Sequence, residues 1–346
     1  MRILTVIGNR PQFVKAAAVS SRLRAVATEV MVHTGQHYDD EMSRVFFDGL
    51  ELPRPEHRLA LGGGSNTEQT AGMLTAVGDL IRAEAPDAVL VYGDTNSTLA
   101  GALAAAQARV PVAHVEAGMR SFDRAMPEEL NRVLTDHCAD LLLCSSPVSA
   151  GHLRAERVQG RVEVVGDVMV DVAQLIGDRA SPPAGVPGEY ALVTAHRAGN
   201  VDDPARLARL VELLLALPLP VVFPLHPRTR ARLEAENLLE RLAHLQLFPP
   251  LGYLEFTGLL RHARVVLTDS GGVQKEAYLA GVPCVTLRDR TEWVETVEAG
   301  WNTLVDLDVS AALAALERPA PAGRPALYGD GHAGERVVQA LVGLAR

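Results

Sequence analysis

Short apolar runs alternate with longer amphipathic stretches along the chain. The runs are rich in Val, Ile and Leu, as buried strands are, and the longer stretches have apolar residues at helical spacing. In the first half the predicted strands are Arg2–Ile7, Glu29–His33, Ala88–Tyr92, Val112–Val115, Leu141–Cys144 and Val162–Val165. The predicted helices between them include Gln12–Arg24, Thr67–Ala85, Ser97–Gln107 and Pro127–His137. This alternation predicts a parallel sheet with helices on both faces.

The same pattern restarts after a cluster of Pro and Gly at Ser181–Gly188. The second set of predicted strands is Tyr190–Thr194, Pro220–Phe223, Leu245–Phe248, Val265–Thr268 and Cys284–Leu287. Its predicted helices are Pro204–Ala216, Thr229–Glu236, Val273–Ala280 and Thr291–Ala299. We therefore predict an α/β protein of two doubly wound, Rossmann-like domains, residues 1–170 and 171–330, with parallel sheets facing a central ligand cleft. The helix in residues 331–346 is expected to pack back on the first domain.

Composition narrows the choice of partners and compartment. The 346 residues carry a formal net charge of -9, which disfavours a nucleic-acid partner. Three cysteines without paired or metal-type spacing, and no evident signal peptide, favour a cytoplasmic protein. The most apolar region, Leu210–Leu225, is interrupted by Glu212 and three prolines, so a membrane span is not expected.

One strand, turn and helix suggests a phosphate site. The strand Val265–Thr268 is followed by Asp269 and then by Ser270-Gly271-Gly272, where a helix begins. Glycines let backbone N–H groups approach a phosphate, and the helix dipole favours its charge. Glu276, one turn further on, is placed to accept from ribose hydroxyls. The alternative is a plain strand-to-helix turn in which the glycines serve only the bend.

Carboxylates follow other predicted strands. Asp94 and Glu116 each close a strand, and Glu128 opens a helix in which Arg132 is four residues away, close enough to hold it. Each acid alone could be a helix cap or a surface charge. Three carboxylates at strand ends must share one edge of the sheet, which favours a proton-transfer site. For Glu129 and Thr95 we predict only a surface charge or a cap.

The cations and histidines complete the candidate set. Lys15 and Lys275 are the only lysines in an arginine-rich chain. Lys15 is therefore a candidate for a site that needs a compact point charge. For Lys275, a surface position agrees with the sequence at least as well as a functional one. Arg10 follows the first strand, and His196-Arg197 and His226 follow strands of the second half. No metal-type spacing, no Gly-x-Gly-x-x-Gly and no Gly-x-Ser-x-Gly accompanies them, so no metal, NAD or other cofactor is predicted.

With these residues in place, the whole chain resembles the non-hydrolysing UDP-N-acetylglucosamine 2-epimerases, isomerases of the GT-B fold. The motifs of the resemblance are Gly8-Asn9-Arg10-Pro11-Gln12, Thr34-Gly35-Gln36-His37, Gly93-Asp94-Thr95-Asn96-Ser97-Thr98, His114-Val115-Glu116-Ala117-Gly118-Met119-Arg120-Ser121, Pro127-Glu128-Glu129-Leu130-Asn131-Arg132, His196-Arg197, Thr268-Asp269-Ser270-Gly271-Gly272, and Arg288 with Thr291-Glu292.

The resemblance implies a role for each candidate residue. The implied catalytic residues are Asp94, Glu116, Glu128, His196, Lys15 and Arg132. Ser270, Gly271 and Gly272 would hold the diphosphate with Arg10 opposite. Glu276 would bind the ribose, the backbone near Phe256 the uracil, and Arg197 and His226 would join the UDP-sugar site. A homodimer that supplies surface polysaccharide synthesis is the family expectation.

Departures from the family pattern leave the substrate open. Gly199 stands where a Glu is common. Gln36-His37 is followed by Tyr38-Asp39-Asp40, and Gly62–Gln69 contains no Arg, so activation by a second substrate molecule is left open. The segment Thr291-Glu292-Trp293-Val294-Glu295 is also similar to enzymes acting on UDP-2,3-diacetamido-2,3-dideoxyglucuronate. The alternatives to UDP-N-acetylglucosamine epimerisation are thus the same reaction on that sugar, a retaining glycosyltransferase, and a non-catalytic UDP-sugar sensor.

Overall fold

The computed structural model describes residues 1–35, 50 and 52–344. Its contacts divide the chain into two compact units. Unit 1 is Met1–Ile176 with Ala326–Arg346, and unit 2 is Gly177–Pro325. The predicted boundary lay at residue 170, six residues before the division found here.

Unit 1 is built on a parallel sheet with the strand order β3-β2-β1-β4-β5-β6-β7. Its described strands are β1 (Arg2–Ile7), β2 (Thr28–His33), β3 (His57–Arg58), β4 (Ala88–Tyr92), β5 (Val112–Ala117), β6 (Leu141–Cys144) and β7 (Arg161–Val164). The central strands β1, β4, β5 and β6 are buried almost throughout, which is why they consist of unbroken apolar runs.

Helices cover this sheet. They are α1 (Arg10–Arg24), α2 (Asn66–Glu84), α3 (Asn96–Gln107), α4 (Pro127–Cys138), α5 (Pro147–Glu156) and α6 (Val168–Ile176). Several begin at a side-chain cap: Asn9 caps α1, and Thr95 forms a capping box with Thr98 on α3. The prediction that Thr95 is a cap is therefore confirmed. These caps fix where each chain segment leaves the sheet.

Unit 2 has a second parallel sheet with the order β10-β9-β8-β11-β12-β13. Its described strands are β8 (Ala191–Thr194), β9 (Val221–Pro224), β10 (Gln246–Phe248), β11 (Val265–Thr268), β12 (Cys284–Thr286) and β13 (Asn302–Leu304). Its helices are α7 (Ala198–Val201), α8 (Pro204–Ala216), α9 (Pro227–Ala235), α10 (Tyr253–His262), α11 (Gly271–Ala280), α12 (Val294–Glu298) and α13 (Val309–Leu316), with 3-10 turns at Gly177–Arg179 and Leu239–Leu242.

Two of the boundaries that differ from the prediction have a visible local reason. The helix predicted from Thr291 begins only at Val294, because the Thr291 hydroxyl donates to Gln274 at 2.6 Å and accepts from the Trp293 N–H at 3.1 Å. Strand β5 continues to Ala117 through a β-bulge between Val115 and Ala117. Both differences lie in segments that carry candidate site residues.

The last described helix, α14 (Ala333–Leu344), packs against α1 and α6 of unit 1. The carboxylate of Asp171 accepts hydrogen bonds from the Ala333 and Gly334 N–H groups at 3.0 and 2.9 Å and so caps the start of this helix. At Gly334 an added Cβ would lie 2.3 Å from the Ala18 carbonyl oxygen of α1. The close approach of the two backbones therefore needs glycine.

We predict that alanine substitutions at two glycines of α14 change the free energy of unfolding in opposite directions. Gly334→Ala must push α14 away from α1 and is expected to lower the free energy of unfolding by about 1–3 kcal/mol. Gly343→Ala meets nothing closer than Arg161 at 3.9 Å and should gain up to about 1 kcal/mol of helix propensity. Urea unfolding of both variants checks this; equal stability of Gly334→Ala and wild type would contradict the packing described here.

Candidate active site

In unit 1, two candidate acids lie at the carboxyl ends of neighbouring strands. Asp94 follows β4, Glu116 lies in β5, and the strands are joined in parallel register. Glu116 has a backbone φ of +72° at the β-bulge. This conformation costs a non-glycine residue about 1–3 kcal/mol, and bulges redirect side chains near functional sites. The strain at Glu116 therefore marks it as a residue whose direction matters.

Glu116 forms an ion pair with Lys15 of α1. Both side chains are nearly buried, with exposed fractions of 6% and 12%. Gly93 makes room for the pair, because a Cβ there would lie 3.3 Å from Lys15 Nζ and 3.5 Å from Glu116 Oε2. Gly93 directly precedes Asp94, so the Lys15–Glu116 pair and Asp94 lie together. Arg10, the first residue of α1, is half-buried next to the Asn9 cap.

Asp94 forms an ion pair with Arg132 of α4, which also binds Glu129 at 2.9 Å. Glu129 is buried and not the surface charge that we predicted. Its carboxylate accepts from the backbone N–H and hydroxyl of Ser121 and from the Phe122 N–H, each at 2.9 Å. Glu129 therefore holds the loop between β5 and α4 while it orients Arg132.

Glu128 opens α4 and is half-buried. Spacing had indicated Glu128 as the partner of Arg132. The structure shows ion pairs of Arg132 with Glu129, which is at the i,i+3 spacing on the same helix, and with Asp94, which is distant in the sequence. Asn131 links the same helix to β4, since its side chain donates to the Asp94 carbonyl oxygen at 3.1 Å. The first two turns of α4 thus lie against the end of β4.

A second buried network lies beside these acids. His114 of β5 contacts Asp136 of α4 at 2.7 Å through Nδ1 and the Gly93 carbonyl oxygen at 2.7 Å through Nε2. Arg120 donates to Asp136 at 2.7 Å and to both oxygens of Glu156 at 2.7 Å. His114 and Arg120 belong to a motif of the resemblance, which implied no role for either residue. Asp136, 22 residues from His114, carried no signal in the sequence.

In unit 2, the glycine turn predicted to bind phosphate begins helix α11. Ser270 is its N-cap, Gly271 its first residue, and Gly272 is exposed in the first turn. Asp269, directly before the turn, is fully buried. Its carboxylate accepts from the backbone N–H groups of His196 and Arg197 at 3.0–3.2 Å and from Asn200 at 3.2 Å. One carboxylate therefore fixes the glycine turn and the His196-Arg197 segment together.

The other predicted cationic residues of unit 2 lie around this turn. The rings of His196 and His226 are 5.4 Å apart. Arg197 approaches Glu292 at 4.0 Å, and Glu292 is held by Arg288 at 3.0 Å. His226 is the exposed N-cap of α9. A helix N-terminus, Arg197 and two imidazole rings at the carboxyl ends of β8, β9 and β11 suit an anionic ligand.

Glu276 and Phe256 lie on adjacent helices of unit 2. Tyr253 of α10 donates from its hydroxyl to Glu276 of α11 at 3.3 Å, and Phe256 follows one turn later on α10. Burial, together with the charge of Glu276, raises the pKa of Tyr253 well above its usual value. No sequence pattern marked Tyr253, whose partner is 23 residues away. The structure adds it to the candidate site.

Lys275 does not have the surface position that its sequence had left open. Its side chain is buried, not at the surface, and the ammonium lies over the Trp293 ring, 4.5 Å from the centroid. An ammonium over an indole face is stabilised by the ring quadrupole. Trp293 is one of the residues at which this chain departs from the family pattern. The buried lysine therefore belongs to the same local arrangement as that departure.

Among the described residues, no group of three or more His, Cys, Asp or Glu side chains is placed to hold a metal ion. Within the same residues, no helix combines the length and apolar character needed to cross a bilayer. The motif residues Gln36 and His37, and the Tyr38 that follows them, lie outside the described residues.

Comparison with known proteins shows which family the chain belongs to. The family model described as UDP-N-acetylglucosamine 2-epimerase matches residues 21–342. The chain belongs to the UDP-N-acetylglucosamine 2-epimerase family. Two relatives in this family match nearly the full length of both chains. The UDP-2,3-diacetamido-2,3-dideoxy-D-glucuronate 2-epimerase of Pseudomonas aeruginosa is 47% identical, with 99% of this chain and 100% of that protein covered. The UDP-N-acetylglucosamine 2-epimerase of Methanocaldococcus jannaschii is 39% identical, with 99% of each covered.

Solved structures of the epimerase family confirm the GT-B-type fold of two parallel-sheet α/β domains. The M. jannaschii UDP-GlcNAc 2-epimerase, solved with UDP-GlcNAc and UDP, superposes with a TM-score of 0.93 over 99% of each chain. The Neisseria meningitidis UDP-GlcNAc 2-epimerase, solved with UDP-GlcNAc, has a TM-score of 0.86 at 29% identity over 99% of this chain and 100% of that one. The predicted family and isomerase class are confirmed.

We predict that Asp269→Asn destabilises unit 2 through hydrogen bonding alone. The amide keeps one acceptor oxygen but turns its NH2 group toward buried N–H donors, which should cost about 1–3 kcal/mol. Asp289→Asn, in an exposed pair with Arg290, should change stability by less than about 0.5 kcal/mol. Thermal unfolding of the two variants measures the difference, and equal melting temperatures would refute the role given to Asp269.

Proposed function

We propose that this protein is a non-hydrolysing 2-epimerase that interconverts UDP-N-acetylglucosamine and UDP-N-acetylmannosamine. The observation that carries the proposal is the pair of carboxylates at neighbouring strand ends, each matched to its own cation. Glu116 pairs with Lys15 and Asp94 with Arg132. A site with two oriented acids suits a reaction that removes a proton from one face of a carbon and returns it to the other.

The chemistry explains why acids and an anion cradle are both needed. The C2 hydrogen of the sugar is not acidic enough for simple deprotonation. In the proposed reaction a carboxylate takes the C2 proton, the C2–H electrons form a C1=C2 double bond, and the C1–O bond breaks with its electrons on UDP. The products are UDP and a 2-acetamidoglucal. Protonation of the other face of C2 and return of the UDP oxygen to C1 give the epimer.

The candidate residues divide between these tasks. In unit 1, Asp94, Glu116 and Glu128 would handle the protons, with Lys15 and Arg132 holding the first two acids. In unit 2, His196 would assist at the reacting centre. The groups proposed to bind the UDP part are Ser270, Gly271, Gly272, Glu276, the backbone near Phe256, Arg197 and His226, with Arg10 of unit 1. Charge that develops on the leaving diphosphate is best stabilised by such preorganised donors.

A second substrate is supported by a specific observation. The chain is 47% identical to an enzyme named for UDP-2,3-diacetamido-2,3-dideoxy-D-glucuronate, and Trp293 belongs to a segment that resembles such enzymes. That substrate has the same reacting C1 and C2 and adds a carboxylate at C6, which needs one more cation. The same acids would act on both sugars.

The compartment, the oligomeric state and the use of the product are proposed from the cysteines and from the family expectation. We infer a cytoplasmic homodimer whose product enters surface polysaccharide synthesis. The free Cys138, Cys144 and Cys284 agree with a reducing compartment. Size-exclusion chromatography with light scattering would contradict the dimer if it gave the mass of a single 37.0 kDa chain.

We predict that Asp94→Asn and Glu116→Gln keep UDP binding but lose epimerisation by about 100- to 10,000-fold, the usual contribution of a positioned acid or base. Both variants keep the size of the side chain and leave unit 2 unchanged. Titration calorimetry with UDP and proton NMR of the sugar in deuterated buffer measure the two properties. Normal turnover in both variants would refute their roles.

The wild-type protein distinguishes the candidate functions in the same assay. Each UDP-sugar is incubated in deuterated water, and the true substrate exchanges its C2 hydrogen for deuterium and forms its epimer. A glycosyltransferase would instead transfer sugar to an acceptor without C2 exchange. A sensor would bind UDP-sugar and leave both compounds unchanged, and either result would overturn the proposed function.

A further inference from the structure

His114 is fully buried where three elements of unit 1 meet. It lies on β5, two residues before Glu116. Its Nε2 is 2.7 Å from the carbonyl oxygen of Gly93, the residue before Asp94. Its Nδ1 is 2.7 Å from Asp136 on α4, the helix that carries Glu128 and Arg132. A single imidazole therefore contacts the segments that carry all three candidate acids.

Both nitrogens of this ring face acceptors. A carbonyl oxygen such as that of Gly93 only accepts hydrogen bonds, and an ionised carboxylate such as Asp136 does the same. Burial opposes ionisation of Asp136, but hydrogen bonds from His114 and Arg120 outweigh it and lower the pKa of the carboxyl. A ring that donates from both nitrogens is the arrangement that satisfies both contacts.

Arg120 extends this ionic network. It donates to Asp136 and to both oxygens of Glu156, so one buried guanidinium links two carboxylates. Apolar side chains of similar volume often give equal or greater stability than a buried ionic network of this kind. A gain in stability therefore does not explain why these four residues are present. Their effect on the direction of the neighbouring backbone does.

The network forms hydrogen bonds with backbone groups next to Asp94 and Glu116, and these backbone groups set the direction of the two acids. Besides the Gly93 carbonyl, Asp136 accepts from the Gly118 N–H at 3.1 Å, just past the bulge at Glu116. Gly93 and Gly118 have φ values of +65° and +80°, so both strand ends leave the sheet through glycine conformations. The network thus fixes the exit of β4, the exit of β5 and one face of α4 relative to one another.

We propose that His114 and Asp136 are positioning residues for the epimerase reaction, which hold Asp94, Glu116 and α4 in register by a doubly donating imidazole. The inference rests on the proposed function. It predicts that loss of the Asp136 charge lowers turnover far more than it lowers binding of UDP, because the UDP groups lie mainly in unit 2. It also predicts that the effect exceeds what loss of stability explains.

The test compares Asp136→Asn with a matched control, Glu29→Gln. Glu29 is also a buried carboxylate paired with an arginine, at 2.8 Å from Arg24, and it accepts from the hydroxyls of Thr5 and Ser20. It lies at the opposite end of the sheet, because it pairs with Ile3 at the amino end of β1. The measurements are melting temperature, kcat for C2 exchange and Kd for UDP.

We expect Asp136→Asn to lower kcat at least 100-fold with Kd for UDP within threefold of wild type. Asp136→Glu should recover part of this loss, and Glu29→Gln should keep kcat within threefold at a similar fall in melting temperature. A kcat of Asp136→Asn near wild type, or an equal loss in Glu29→Gln, would overturn the inference. An inactive wild type would instead overturn the proposed function.

A second measurement uses the wild-type protein and needs no variant. Nitrogen-15 NMR of histidine-labelled protein at pH 8 should show one ring with protons on both nitrogens that are protected from solvent exchange. This result tests the doubly donating ring whether or not the enzyme turns over either sugar. Absence of such a ring would overturn the inference.

Discussion

A carboxylate buried at the end of a parallel strand has to be met by a cation or by N–H donors, and the candidate site follows from this constraint. The buried Glu116 is met by Lys15, the partly exposed Asp94 by Arg132, and the buried Asp269 by two backbone N–H groups and an amide. Burial of a carboxylate without such partners is costly. The partners also fix the direction of each acid, as proton transfer requires.

The two units solve the problem of binding charge in different ways. Unit 1 uses side-chain cations and a buried ionic network, so its acids are held at defined positions. Unit 2 uses a glycine turn at a helix N-terminus, where backbone N–H groups are available for an external anion. The first arrangement suits proton transfer and the second suits a diphosphate. Both arise from the same fold rule, which gathers the residues after parallel strands at one edge of a sheet.

The sequence predicted those features that depend on local pattern. Apolar runs located the central strands, and Thr95 was predicted as a cap because it lies between a strand and the start of a helix. Features that depend on distant partners were not found. Lys275 is buried by Trp293, and Glu129 by a loop that folds back from Ser121, so neither burial is visible in neighbouring residues. The motif resemblance included His114 and Arg120. It did not indicate Asp136, which contacts both residues in the folded chain.

The central claim is that acids of unit 1 act on a sugar whose bond to UDP breaks during turnover. Positional isotope exchange tests it most directly, with a UDP-sugar substrate that carries oxygen-18 in the bond between C1 and the β-phosphate. If the bond breaks, the freed phosphate rotates and the label moves to non-bridging β-phosphate oxygens in recovered substrate and product. The account predicts this scrambling alongside epimerisation. Epimerisation with the label kept in the bridge would contradict it.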